Sequence, residues 1–236
     1  HRDLHSFPTR RSSDLGFDLS SATVAIQGWG NVGSATGRIL QVHGATVTAV
    51  ADHQGAIADE DGIDAFELTD WVSERGTVKG FPHAGWIDDD DFWASDVDIF
   101  VPAAIENQVH AENAPRIQAK VIVEAANGPT TLEAEEMLTA RGVEILPDIL
   151  VNAGGVIVSY FEWVQNRSAQ RWSLDDVDYK LREVLWRACD AVVEARRDYE
   201  VDSRRDAAYA VALSRLQTVY RDRKSTRLNS SHVKRS

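Results

Sequence analysis

Thr23-Val24-Ala25-Ile26-Gln27-Gly28-Trp29-Gly30-Asn31-Val32-Gly33 is the stretch whose reading decides the fold. TVAIQ is a short apolar, β-branched run of the kind buried on both faces of a sheet. The glycines after it are spaced GxGxxG and open a helical pattern that reaches about His43. A second β-branched run, Ala45–Ala51 (ATVTAVA), leads to an acid, Asp52, 19 residues past Gly33. GxGxxG alone is a weak sign. Set between a strand and a helix, with an acid at that distance, it is the dinucleotide-binding fingerprint. Gly28 permits the tight turn, Gly30 lets backbone approach a pyrophosphate, and Gly33 lets helix and strand pack closely. The first helical turn, which includes Val32, offers free N–H groups and a dipole to the diphosphate charge. Asp52 is expected to accept hydrogen bonds from the adenosine ribose and to repel a 2′-phosphate. That favours NAD over NADP, a preference that the adjacent His53 softens.

The rest of the chain alternates in the same way. A turn-rich excursion (DHQGAIADEDG) precedes a helical segment at Ala65–Arg75. Val97–Val101 (VDIFV) and Lys120–Glu124 (KVIVE) are further runs suited to buried strands. Thr130-Thr131-Leu132-Glu133 reads as a capping box opening a helix to about Arg141. Val143–Leu146 is another strand, closed by Pro147, and from Ala153 onward the pattern is helical, with starts at Ser173 and Ser203. The expectation is an α/β fold: a Rossmann-like, doubly wound parallel sheet followed by C-terminal helices.

Composition bounds the partners. Of 236 residues, 43% are hydrophobic and 26% charged, enough apolar material for a core. No apolar run approaches the roughly 18 residues of a membrane span, and the start lacks the apolar centre of a signal peptide. One cysteine, Cys189, excludes an internal disulfide, fits a reducing compartment, and is expected in a buried core. A cytoplasmic protein without a membrane partner follows. The scattered histidines show no metal-ligand spacing, so no metal is expected.

Residues 1–15 and 223–236 are Ser-, Arg- and His-rich without periodicity. They read as sequence foreign to the domain, or as ordinary flexible tails, flanking a dinucleotide-binding domain over 16–222. The net charge is −12, but the three Arg and two Asp of 1–15 and the five Lys or Arg of 223–236 mask the middle. That middle holds 17 basic and 35 acidic side chains, a net −18. Such a surface repels nucleic acid. It suits either an ordinary acidic enzyme or one adapted to high salt.

The second half carries a resemblance. Pro102-Ala103-Ala104-Ile105-Glu106-Asn107, Glu124-Ala125-Ala126-Asn127-Gly128-Pro129-Thr130-Thr131 and the long run from Pro147 to Asn166 (PDILVNAGGVIVSYFEWVQN) closely resemble glutamate dehydrogenase. The likeness spans about Gly16 to Asp222. Leucine, valine and phenylalanine dehydrogenases share the glycine fingerprint, while VSYFEW is similar to the glutamate branch.

The resemblance implies oxidative deamination of L-glutamate to 2-oxoglutarate and ammonium with NAD(P), in a homo-oligomer, a hexamer by family. It places Asn31 against the pyrophosphate, Ala103 beside the cofactor, Asn127 near the nicotinamide ribose, and Asn152 at the nicotinamide amide or substrate. Gly155 and Val156 line the substrate pocket, and Ser159 binds the substrate's side-chain carboxylate. Asn152, Val156 and Ser159 are spaced by four and three, so one helix face at the carboxyl edge of the sheet is expected to present all three.

The family's catalytic base is a glycine-flanked lysine in an N-terminal domain, and no lysine here has that setting. No catalytic residue is therefore assigned, and the chain is expected to be inert alone. Two rivals stand beside this reading. A branched-chain or aromatic amino-acid dehydrogenase would carry an apolar residue at Ser159. A non-catalytic NAD-sensing Rossmann module would explain the fingerprint but not VNAGGVIVSYFEW.

Overall fold

The computed structural model describes residues 18–232, with side chains through residue 221. The chain divides at 152/153 into two units, His1–Asn152 and Ala153–Ser236, where the sequence suggests one domain over 16–222. In the first unit a seven-stranded sheet comprises β1 (Thr23–Gln27), β2 (Thr46–Asp52), β3 (Gly55–Ala58), β4 (Gly85–Ile87), β5 (Ile99–Pro102), β6 (Val121–Val123) and β7 (Glu144–Leu146). Their spatial order is β4-β3-β2-β1-β5-β6-β7. Strands β2, β1, β5, β6 and β7 are parallel. Helices α1 (Asn31–Val42), α2 (Ala65–Arg75), α3 (Asp89–Trp93), α4 (Leu132–Ala140) and α5 (Asp148–Val151) fall between or after the strands.

Alternation along the strands, broken once in β2 by a register shift against β1, sorts the core onto the two faces of the sheet. Val24, Ile26, Val47, Val50 and Val101 join one cluster with Leu68 of α2 and Trp29. Ala25, Ala49, Phe100 and Ile122 join the other, with Phe92 of α3 and Leu138 of α4. Burying each large side chain stabilises the fold by roughly 1.5–3 kcal/mol. Near-continuous apolar runs are what a strand covered on both faces needs.

The sheet is the Rossmann-like, mostly parallel one expected, with an antiparallel edge formed by β3 and β4. The cause is local. Only His53 and Gln54 separate the paired residues Asp52 and Gly55, and a two-residue connection can only reverse the chain. Gly55 takes φ +135°, and a side chain there would strike the Trp86 ring, which packs over it. The expected capping box is revised. Thr131 alone caps α4, its side chain accepting the Ala134 N–H, and the residue at the reciprocal position is Ala134, which has no carboxylate. The acidic run IDDDDFW has a structural use: the Asp88 side chain caps α3, and Asp89, Asp90 and Asp91 occupy its first turn, where the dipole favours them.

The second unit consists of α6 (Ala153–Ser168), α7 (Leu174–Asp198) and α8 (Arg204–His232). Ser173 opens α7 with a full capping box shared with Asp176. The Ser203 hydroxyl accepts the Arg205 N–H at the start of α8. Residues 223–232, expected to lack regular structure, continue α8 as helix, since no glycine or proline lies between 204 and 232 to stop it. The other expected tail, 1–15, lies outside the described residues. Cys189 is half-buried rather than in a sealed core, because these helices bury little beyond Phe161, Val192, Ala195, Ala207 and Ala208.

Candidate functional site

From β1 the chain first adds β2 on one side, then returns to add β5, β6 and β7 on the other. The topological switch point therefore lies at the carboxyl ends of β1 and β5, where open α/β sheets bind ligands. Backbone bonds lash that edge together. Ala103 N–H donates to Gln27 O (2.7 Å), Gly28 N–H to Ala51 O (2.6 Å), and Ala125 and Ala126 N–H both donate to Pro102 O.

The three fingerprint glycines have three different reasons. Gly28 has φ +92°, and a Cβ on it would lie 2.8 Å from the backbone N and Cα of Ala104. A Cβ on Gly33 would stand 1.8 Å from Gly28 O. Those two positions are closed by the protein itself. Gly30 has ordinary backbone angles, and a Cβ on it would meet nothing within 4 Å, so its missing side chain leaves open space. Gly30 is also the N-cap of α1, and no side chain caps that helix. Asn31 and Val32 are exposed in its first turn, Val32 by 51%. An uncapped helix start beside an open glycine can take a phosphate or diphosphate.

Sequence reasoning overlooked Gly37 in the same helix. A Cβ there would fall 2.5 Å from the Trp29 ring, so Gly37 makes room for the buried indole that lies between Gly28 and Gly30. A glycine in mid-helix was the available signal.

Asp52 ends β2 half-buried, and each carboxylate oxygen already accepts one backbone N–H: Oδ1 from Gln54 and Oδ2 from Val78, both at 2.8 Å. A carboxylate has about four acceptor sites, so two remain for a ligand. His53 beside it is exposed.

Past β6, Asn127 is exposed and half-buried Asn152 reaches it: Asn152 Nδ2 donates to Asn127 Oδ1 at 2.7 Å. The structure thus joins two asparagines 25 residues apart. Asn152 does not lie on one continuous helix with Val156 and Ser159, however. It is the C-cap of α5, and α6 begins after it, so the single-face expectation fails for Asn152. On α6, Gly155, Val156 and Ser159 are exposed, Val156 by 77%. The Ser159 hydroxyl makes no hydrogen bond among the described residues, unlike Ser168, which bonds back to Val164 O. Among the described residues no group of three His, Cys, Asp or Glu could hold a metal, and no helix is long and apolar enough to cross a membrane.

A glycine turn at the switch point of a mostly parallel, helix-flanked sheet defines a Rossmann-type α/β protein. A model of the Glutamate/Leucine/Phenylalanine/Valine dehydrogenase family matches residues 7–224, and the chain belongs to that family. It is 47% identical over 203 residues to glutamate dehydrogenase from Thermotoga maritima, covering 86% of this chain and 49% of that protein. It is 45% identical to NADP-specific glutamate dehydrogenase A1 of Halobacterium salinarum and 43% to NAD-specific glutamate dehydrogenase of Clostridioides difficile, covering 49% and 50% of them and 86% and 87% of this chain. Among solved structures, the hetero-hexameric glutamate dehydrogenase from Thermus thermophilus (Leu bound form) superposes with TM-score 0.83 at 31% identity, over 90% of this chain and 50% of that one. The chain spans about half the length of the curated relatives it matches.

Proposed function

We propose that this chain is the dinucleotide-binding part of a glutamate dehydrogenase, and that NAD is its preferred cofactor. The observation that carries the reading is the contrast among the fingerprint glycines: Gly28 and Gly33 are closed by backbone, while Gly30 stands open at the uncapped start of α1. Such a turn is shaped for a ligand's phosphates. Asn31, Val32 and Ala103 border the same place, and Asp52 takes the adenosine ribose with its remaining acceptor sites. Asn127 and Asn152 meet the nicotinamide end. When bound, the nicotinamide supplies the acceptor for a hydride from the substrate α-carbon.

Glutamate is favoured over leucine or phenylalanine by Ser159, whose unbonded hydroxyl is exposed on α6 beside Gly155 and Val156. A carboxylate is costly to desolvate unless a donor meets it. The glutamate dehydrogenases among the relatives support this choice, and the hetero-hexameric neighbour supports an oligomeric whole protein.

Calorimetry on the 236-residue chain with NAD and with NADP tests the reading. Binding of both, NAD more tightly, is expected, together with no change in nicotinamide absorbance when glutamate is added. Failure to bind either dinucleotide overturns the proposal.

A further inference from the structure

The Asn127–Asn152 pair is held by two carboxyl-bearing residues outside the pair itself. Glu124, one residue past β6, is fully buried, and its Oε2 accepts the Asp148 N–H at 2.8 Å. Asp148 starts α5. Its Oδ2 accepts the Gly128 N–H and its Oδ1 the Ile149 N–H, both at 2.8 Å. Its carbonyl accepts the Asn152 N–H at 3.0 Å. Asp148 therefore grips both arms of the pair: the residue after Asn127 through its side chain, and Asn152 itself through its backbone. Gly128 sits at φ +50°, in the left-handed region, and its carbonyl accepts the Asn107 N–H at 2.9 Å.

A buried carboxyl group is an expensive way to fill space, and an apolar side chain does so at lower cost. What an apolar residue cannot do is fix the Asp148 N–H, and with it the two asparagines. We propose that Glu124 and Asp148 are positioning residues that set the Asn127–Asn152 pair for the nicotinamide end of the dinucleotide. The inference rests on the reading that these asparagines face that end.

The test compares two ligands on the full 236-residue chain: NADH, and ADP-ribose, which lacks the nicotinamide. Asn127→Ala and Asn152→Ala are expected to weaken NADH about five- to tenfold, the scale of one lost hydrogen bond, and to leave ADP-ribose unchanged. Asp148→Ala is expected to show the same selective loss. Asp148→Asn, which keeps an oxygen for the Gly128 N–H, should restore NADH binding to within about twofold. Glu124→Leu, which removes the acceptor for the Asp148 N–H, should again lose NADH alone. If the asparagine variants shift the ratio and Asp148→Ala does not, the positioning role is overturned while the underlying reading survives. If the asparagine variants leave the ratio unmoved, that reading fails and takes this inference with it. Parallel losses for both ligands in Asp148→Ala and Glu124→Leu overturn the proposal in favour of general support of the fold.

Discussion

Asp52 Oδ2 accepts the backbone N–H of Val78 at 2.8 Å, so the acid at the end of β2 also anchors a segment 26 residues further along the chain. Its other oxygen holds the turn that reverses β2 into β3, through the Gln54 N–H. One carboxylate therefore serves the antiparallel edge of the sheet and the proposed ribose site.

Replacing Asp52 is expected to have two separable effects. Asp52→Ser should weaken NAD relative to NADP and also lower stability, each by about 1.5–3 kcal/mol, the worth of a hydrogen bond to a charged group. Calorimetry with both cofactors and a denaturant titration measure the two. A loss of stability with an unmoved cofactor ratio would leave Asp52 as a clamp on the loop and nothing more.

The glycines give a sharper contrast. Gly33→Ala drives a Cβ into the Gly28 carbonyl and should cost more than about 3 kcal/mol, because backbone cannot step aside. Gly30→Ala meets open space and ordinary backbone angles, so its stability should stay within about 0.5 kcal/mol. Its dinucleotide affinity should nevertheless fall at least about tenfold, through contact with the phosphates. A normal affinity in Gly30→Ala would move the diphosphate elsewhere.

Acid stability should depend on Asp98, which ties the starts of β1 and β5. Its Oδ2 accepts the Thr23 N–H at 3.0 Å, and its Oδ1 bonds Lys120 at 2.7 Å. Partial burial pushes its carboxyl upward, but the Lys120 bond and charge, with the Thr23 donors, hold it below the ordinary range. Asp64, whose carboxylate accepts the Glu67 and Phe66 N–H groups at the start of α2, is lowered too. A group lowered on folding stabilises fully above its unfolded value of 3.8, and that contribution fades as pH falls through the lower folded value. Lys120 is raised by its bond to Asp98, so its contribution holds below 10.5 and fades as pH rises past its higher folded value. Urea midpoints from pH 2 to 6 should fall at the acid end, and Asp98→Asn should flatten that fall. An equally steep acid limb in Asp98→Asn would show that the drop comes from other groups.

Salt should raise the thermal midpoint. The middle of the chain carries 35 acidic against 17 basic side chains, and screening shortens their repulsion from about 10 Å at 0.1 M salt to about 3 Å at 1 M. A flat or falling midpoint across a potassium chloride series would instead fit an ordinary acidic protein in which the caps at Asp64 and Asp88 absorb much of the acidity.

The proposed preference for glutamate rests on Ser159. In the full-length enzyme, Ser159→Ala should lower kcat/KM for glutamate by about 1.5–3 kcal/mol, while norvaline, which lacks the side-chain carboxylate, is little affected. NAD affinity should hold. An unchanged glutamate-to-norvaline ratio would reopen the choice among the family's substrates.

The sequence by itself determined the strands β1, β2, β5, β6 and β7, the helix at Ala65–Arg75, the Ser173 cap and the glycine turn. Each is set by neighbours in the chain: apolar runs, a hydroxyl ahead of a helix, glycines at fixed spacing. The strands β3 and β4 were not legible, because GAIA and GWI each carry a glycine and a single β-branched residue within turn-rich sequence, and take their structure from pairing with β2 and with each other. Nor could the sequence show that Asp52 carries Val78, that Gly37 yields to Trp29, or that a break at Asn152 parts it from the helix of Ser159. Those facts were decided only by tertiary structure. The Glu124–Asp148 clamp joins the ends of β6 and β7 across 24 residues, and only the pairing of those strands brings the two carboxyl-bearing residues to one edge.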